Sequence, residues 1–198
     1  MKDAGLGREP AVVKPFPEPP RFLADVMVGS LARWLRLLGF DTLYGPEFDD
    51  DALARMANLT GRILLTADRA LAARPAVRHP LLVPPSGLDL QLRAVARSIP
   101  LLPLSRPLTR CPVCNAPLSS LPRDRARDRV PPYVFDAHEA FLSCVPCGRV
   151  FWPGTHRDHI IVWMQEHIGR GALPAPVPIP PMEQCASSPP PHDRHLPF

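Results

Sequence analysis

No stretch of this chain is apolar over the length of a bilayer, so a membrane-spanning helix is not expected. The opening residues, "MKDAGLGREPAVVKPFPEPP", lack the apolar core of a secretory signal, which makes the cytoplasm the expected location. Cysteine is scarce, at 5 residues, and in that compartment metal ligands or free thiols are better expectations than disulfides. Charge of either sign is short too. A net +4 with a pI near 9.0 suits a polyanionic partner, but so mild an excess is common among proteins that bind none. No internal repeat is present. What remains, at 198 residues with 45% apolar content, is a soluble globular protein with one good core, or one core and a small satellite module.

Proline marks the organisation. Of 29 prolines, 5 fall in residues 1–20 and 9 in residues 171–198, tails too polar and Pro-rich to pack a core and therefore expected to be disordered. "SIPLLPLSRPLTR", Ser98 to Arg110, is a third break. Its spaced prolines forbid a continuous helix or central strand and predict an extended connector, with the linker at 100–108. The ordered parts are then 21–99 and 109–170.

In the first part, strand and helix patterns alternate. Phe22-Leu23-Ala24 reads as a short strand, and "SLARWLRLLGF" as a helix with Leu31, Trp34, Leu35 and Leu38 on one face, Ser30 as N-cap and Gly39 as stop. "DTLYG" follows as a second strand. "DDDALARMANLTG" is a helix with an acidic start, "RILLT" the clearest strand, Leu81–Val83 another, and "GLDLQLRAVARSI" a last helix. Such alternation predicts a small α/β domain with a mainly parallel sheet.

Two apolar strands run straight into aspartates, Asp25 and Asp68. Desolvating a carboxylate is costly unless something positive meets it. In open parallel sheets, polar groups that do chemistry gather at the carboxyl ends of the strands. Asp49, Asp50 and Asp51 open a helix that also follows a strand. Carboxylates converging there would repel one another, and a Mg²⁺ or Mn²⁺ ion, which prefers carboxylate oxygens, would relieve the repulsion. The plain alternative is capping: Asp68 before "RALAAR", and the Asp run before its helix, suit N-caps and the positive helix end without any metal.

The second part carries the strongest local signal. "CPVC" at Cys111–Cys114 and "CVPC" at Cys144–Cys147 are two Cys-x-x-Cys knuckles 29 residues apart, with Asn115 and Gly148 as turn residues behind them. Four thiolates suit one tetrahedral Zn²⁺ better than two disulfides, and a site closed by four cysteines is structural because zinc keeps no open position. The insert between the knuckles is expected to form an extra hairpin. Within it, "RDRARDR" alternates Arg123, Arg125, Arg127 and Arg129 with Asp124 and Asp128, either a solvated self-neutralising stretch or a basic surface. Tyr133, Phe135, Phe141, Phe151 and Trp152 suit the core of the ribbon, or stacking on unpaired bases. Beyond it, "THRDHIIVWMQEHI" reads as a helix capped by Thr155 and Asp158; His156 and His159 are not needed as ligands, and Cys185 is a free thiol in the C-terminal tail.

Together, "RFLADVMVGSLARWLRLLGFDTLY", "DDDALARMA", "GRILLTADRAL", "RCPVCNAPL" and "VPPYVFDAHEAFLSCVPCGRVFWPGTH" resemble the Mut-seven C-terminal ribonuclease domain family over about residues 21–160. That resemblance implies a PIN-like, three-layer α/β nuclease domain followed by a four-cysteine zinc ribbon. It implies a metal-dependent ribonuclease acting on single-stranded RNA, with Asp25 as the first acidic residue, Asp68 as the later one, and Thr66 in support. The middle acid is Asp50, with Asp49 next. Arg33 and Arg36, on the polar side of their helix, together with Arg69, are expected to face RNA phosphates, and zinc is structural. The chain departs from the PIN pattern where Ala70–Ala73 offers no fourth acid; Asp89 is a weak substitute. Hydrolysis of this kind activates a water and leaves a 5′ phosphate. The alternative reading is an inactive zinc-ribbon RNA-binding or adaptor protein.

Overall fold

The computed structural model of the chain describes residues 19–152 and the single positions 162 and 166. The expectations for most of the two tails, for Thr155, Asp158, His156 and His159, and for Cys185 lie outside the described residues.

Strands β1 (Phe22–Ala24), β2 (Thr42–Tyr44), β3 (Ile63–Thr66) and β4 (Pro80–Leu82) form one sheet in the order β2-β1-β3-β4, every pair parallel. β1 and β3 are buried along their whole length, as central strands of a sheet covered on both faces must be, which is why they read as unbroken apolar runs. Successive side chains serve opposite faces. Phe22, Ala24, Ile63 and Leu65 join the core beneath helices α1 (Gly29–Leu37) and α4 (Leu88–Ser98). Leu23 and Leu64 face the other way, towards α2 (Asp50–Thr60) and α3 (Arg69–Ala72). The result is the expected three-layer α/β arrangement.

The helix ends depart from expectation in one place. Ser30 is exposed and caps nothing, because a 3₁₀ turn at Val26–Val28 leads into α1 and moves the start of the helical path back to Asp25. Gly39 does stop the helix. Its φ is +91°, and a Cβ there would collide with the carbonyl of Arg106. Gly61 closes α2 in the left-handed conformation, at φ 63°.

The segment expected to run extended instead packs. It holds a short helix, α5 (Leu101–Leu104), with Leu101 buried in the core under α1. Pro103 is tolerated because the first turn of a helix needs no amide donor there. The chain then returns along α1, where Arg106 and Leu108 donate their amides to the carbonyls of Leu38 and Leu37 at 2.7 and 3.2 Å.

Past it, β5 (Ser119–Leu121), β6 (Phe141–Ser143) and β7 (Val150–Phe151) form an antiparallel sheet in that order. The insert between the knuckles is not a plain hairpin: α6 (Arg123–Ala126), a 3₁₀ turn at Arg127–Arg129 and α7 (Pro132–Ala137) separate β5 from β6. Helical winding sorts the alternating charges, so Arg123 and Arg127 lie together over the Phe135 ring, 4.0 and 4.8 Å from its centroid. Phe135 and Phe141 are core residues, whereas Tyr133 is exposed. No helix among the described residues is long and apolar enough to cross a membrane.

At the start of β2, Asp41 takes a two-pronged ion pair from Arg62, at 2.8 and 2.9 Å. Burial alone would raise the Asp41 pKa, but hydrogen bonds from Arg62 and Asn115 more than offset it, and the carboxyl is held below its ordinary value. A depressed carboxylate contributes stability that is present above its unfolded pKa, 3.8, and is lost as pH falls through the folded value. Asp41→Asn is therefore expected to destabilise the protein at pH 7, with the difference from wild type shrinking below about pH 4 in urea titrations read at several pH values.

Candidate active site and zinc site

The direction in which strands are added to the sheet reverses between β1 and β3: β1 is followed outward by β2 on one side, and β3 by β4 on the other. Ligands of open α/β sheets bind at such a switch point, beyond the carboxyl ends of the strands. Asp25 and Asp68 stand there, each just past the end of its strand.

Asp25 is only 6% exposed. Its amide donates to Leu65 at 3.0 Å, and its carboxylate accepts the Thr66 hydroxyl at 2.7 Å. That engagement accounts for the absence of a side-chain cap on the 3₁₀ turn that Asp25 precedes. The Thr66 oxygen in turn accepts the Asp68 amide at 2.9 Å, so one buried hydroxyl links the two acidic positions. Among the described residues, no Lys, Arg or His forms an ion pair with Asp25. Asp68 also caps α3, accepting from Ala70 and Leu71 at 2.6 and 3.3 Å. The capping reading of that residue is thus correct in structure, and it leaves the second carboxylate oxygen free of those bonds. Thr66→Val, which keeps the shape and removes the hydroxyl, takes that partner from both the Asp25 carboxylate and the Asp68 amide and is expected to lower stability by about 1–3 kcal/mol in urea titrations.

The middle acids are placed differently from what convergence predicts. Asp49 is the N-cap of α2, accepting from Ala52 at 2.7 Å. Asp50 and Asp51 both bind Arg74, at 2.9 and 2.6 Å. Asp89 lies in the first turn of α4. Among the described residues, the one group of three or more His, Cys, Asp or Glu side chains close enough to share an ion is the set of four cysteines. Arg74 carries no motif that would have announced it, because its partners come from a different helix.

The arginines separate as well. Arg33 and Arg69 are exposed. Arg36 is not on a solvent face; it is 6% exposed, and it donates to backbone carbonyls, Nε to Thr42 at 2.8 Å and Nη1 to Val113 and Pro112 at 2.7 and 3.4 Å. The ribbon covers the helix face that periodicity left to water.

Cys111, Cys114, Cys144 and Cys147 bring their sulfurs within 4.8 Å of one another. Cys111 lies 3.6 Å from Cys147 and Cys114 lies 3.2 Å from Cys144. Thiolates about 2.3 Å from one zinc would stand about 3.8 Å apart, and a disulfide would need about 2.05 Å, so the spacing fits zinc. Burial pushes the Cys111 and Cys144 thiols up. Burial acts in the same direction on Cys147, but hydrogen bonds from the Arg149 backbone and the neighbouring thiols more than offset it and hold that group at about 7.

The model of one family, the Mut7-C RNAse domain, matches residues 20–164. The chain belongs to the Mut7-C RNAse domain family. No curated protein and no solved structure matches it. For a Mut7-C domain the expected substrate class is RNA in general, and the match takes in both the parallel sheet and the four-cysteine cluster.

Proposed function

We propose that this Mut7-C domain is a metal-dependent ribonuclease of the cytoplasm, hydrolysing phosphodiester bonds of single-stranded RNA, with a zinc-holding ribbon that assists binding. Its nuclease unit would span 21–99 and its zinc unit 109–170. One observation carries the reading: a carboxylate buried to 6% exposure, without a cationic partner among the described residues, joined through Thr66 to a second aspartate at the switch point. Isolated buried carboxylates are costly, and oxygen-only donors suit a hard divalent ion that keeps several waters.

Asp25 and Asp68 would hold Mg²⁺ or Mn²⁺, with Asp50 as the third carboxylate once Arg74 releases it, or Asp49 next. Such an ion supplies an acidified water and neutralises charge at the scissile phosphate. Thr66 keeps the Asp25 carboxylate oriented by donating to its Oδ2. Arg33 and Arg69, exposed on α1 and at the start of α3, would meet phosphates along the strand, and their exposure supports that role. The deciding experiment is cleavage of labelled single-stranded RNA by the full chain with Mn²⁺, with Mg²⁺ and with EDTA, beside Asp68→Asn. Metal-dependent cleavage that vanishes in the variant supports the reading; cleavage surviving in Asp68→Asn removes the site from where it is placed.

The Arg74 pairing favours a second reading, an inactive RNA-binding adaptor, because it occupies two of the candidate middle acids. RNA binding without cleavage under every metal condition would select it.

A further inference from the structure

β2 is a terminal strand of the sheet, three residues long, and among the described residues one edge of it has no neighbouring strand. Unpaired edges are normally covered, because each free amide and carbonyl must find a partner. Thr42 is 0% exposed, and both of its outward backbone groups are met by side chains. Its amide donates to Asn115 Oδ1 at 3.0 Å, and its carbonyl accepts Arg36 Nε at 2.8 Å. Neither partner belongs to the sheet.

Both partners depend on the first zinc knuckle. Asn115 follows Cys114 directly, in the left-handed conformation at φ 67°, with its amide donating to the Cys111 carbonyl at 2.9 Å. Its side chain is therefore aimed by the closed turn, and Asn is among the few residues that accept such a conformation. Its Nδ2 donates to Asp41 at 2.8 Å, and its own carbonyl accepts Arg110 at 2.8 Å. Arg36, reaching from α1, holds the carbonyls of Val113 and Pro112 inside the Cys-x-x-Cys loop. An open loop would present neither the asparagine amide nor those two carbonyls.

We propose that Arg36 and Asn115 are positioning residues through which the zinc-closed knuckle clamps the free edge of the nuclease sheet. Zinc at the four cysteines then does more than hold the ribbon together. It fixes β2, and β2 leads through residues 45–49 into the N-terminus of α2, where the middle acids sit. The consequence for activity rests on the ribonuclease reading above; the clamp itself does not.

The test follows one amide. Hydrogen exchange at the Thr42 amide is measured by NMR in zinc-loaded full-length protein, in zinc-stripped protein, and in zinc-loaded Asn115→Gly, with the Leu64 amide, donated to the His79 carbonyl within the sheet, as reference. Glycine accepts the same backbone conformation, so Asn115→Gly keeps the knuckle and removes only the side chain. Zinc stripping and Asn115→Gly are each expected to speed Thr42 exchange by about tenfold or more, while the Leu64 amide is unchanged in Asn115→Gly. If stripping unfolds the whole chain, Asn115→Gly with zinc bound decides alone. Thr42 protected as in wild type in that variant would overturn the proposal. With Mn²⁺ present, Asn115→Gly is also expected to lower kcat while leaving KM nearly unchanged, and Arg36→Lys to restore part of what Arg36→Ala loses. Unaltered kcat beside a freed Thr42 would overturn the positioning role. Wild type that never cleaves RNA would defeat the ribonuclease reading, leaving the exchange result to judge the clamp.

Discussion

Asp25→Asn is expected to lower RNA cleavage by about 10²-fold or more while leaving the metal-free protein as stable as wild type or slightly more so. The two halves of that expectation have one cause. Asp25 is buried, its carboxylate accepts one hydroxyl from Thr66, and no described cation pairs with it. Removing the charge relieves desolvation in the absence of a divalent ion, and the amide oxygen of asparagine still accepts the Thr66 hydroxyl. At the proposed metal site, the same substitution would remove a ligand. Cleavage assays with Mn²⁺ and thermal unfolding in EDTA separate the halves. A sharp loss of stability without metal would make Asp25 a structural residue and deprive the proposed site of its first acid.

The largest effect on folding is expected from the zinc set. Cys144→Ser should abolish tight zinc binding and unfold the ribbon, since structural zinc contributes on the order of 10 kcal/mol in small metal-dependent modules. Among the described residues, the core of the ribbon itself is small. Its sheet comprises two three-residue strands and a two-residue strand over one small core around Phe135 and Phe141. Metal analysis after dialysis and far-UV circular dichroism would register the loss. Retained zinc together with unchanged melting would show that three cysteines suffice and that Cys144 lies outside the site. The α/β domain keeps its own core between α1 and α4, so it should survive as a separate unfolding transition of reduced stability.

Much of this architecture is legible in the chain because it is encoded locally. Apolar runs one strand long, helical spacing between them, Gly39 and Gly61 at helix ends and two Cys-x-x-Cys turns are all patterns within a few residues. The positions of Asp25 and Asp68 follow from them, since a residue just past a parallel strand is at the carboxyl edge whatever the neighbouring strands are. Thr66 and Asn115 are visible in the chain only as a supporting residue and a turn residue; their side-chain partners are not.

Helical periodicity assigns Arg36 to the solvent side of α1, and it is sound as far as one helix is concerned. What the tertiary structure decided is that a loop 76 or 77 positions later in the chain lies on that side, so an arginine read as a phosphate contact became a buried clamp. The same holds for Asp50 and Asp51, whose partner Arg74 comes from beyond another strand and helix. By itself, the sequence determined the sheet strands, the strand-end acids and the four thiolates, because each depends on spacing or on burial along one element. Which charges meet depends on how elements pack across the chain, and packing of distant surfaces leaves no period in the sequence to read.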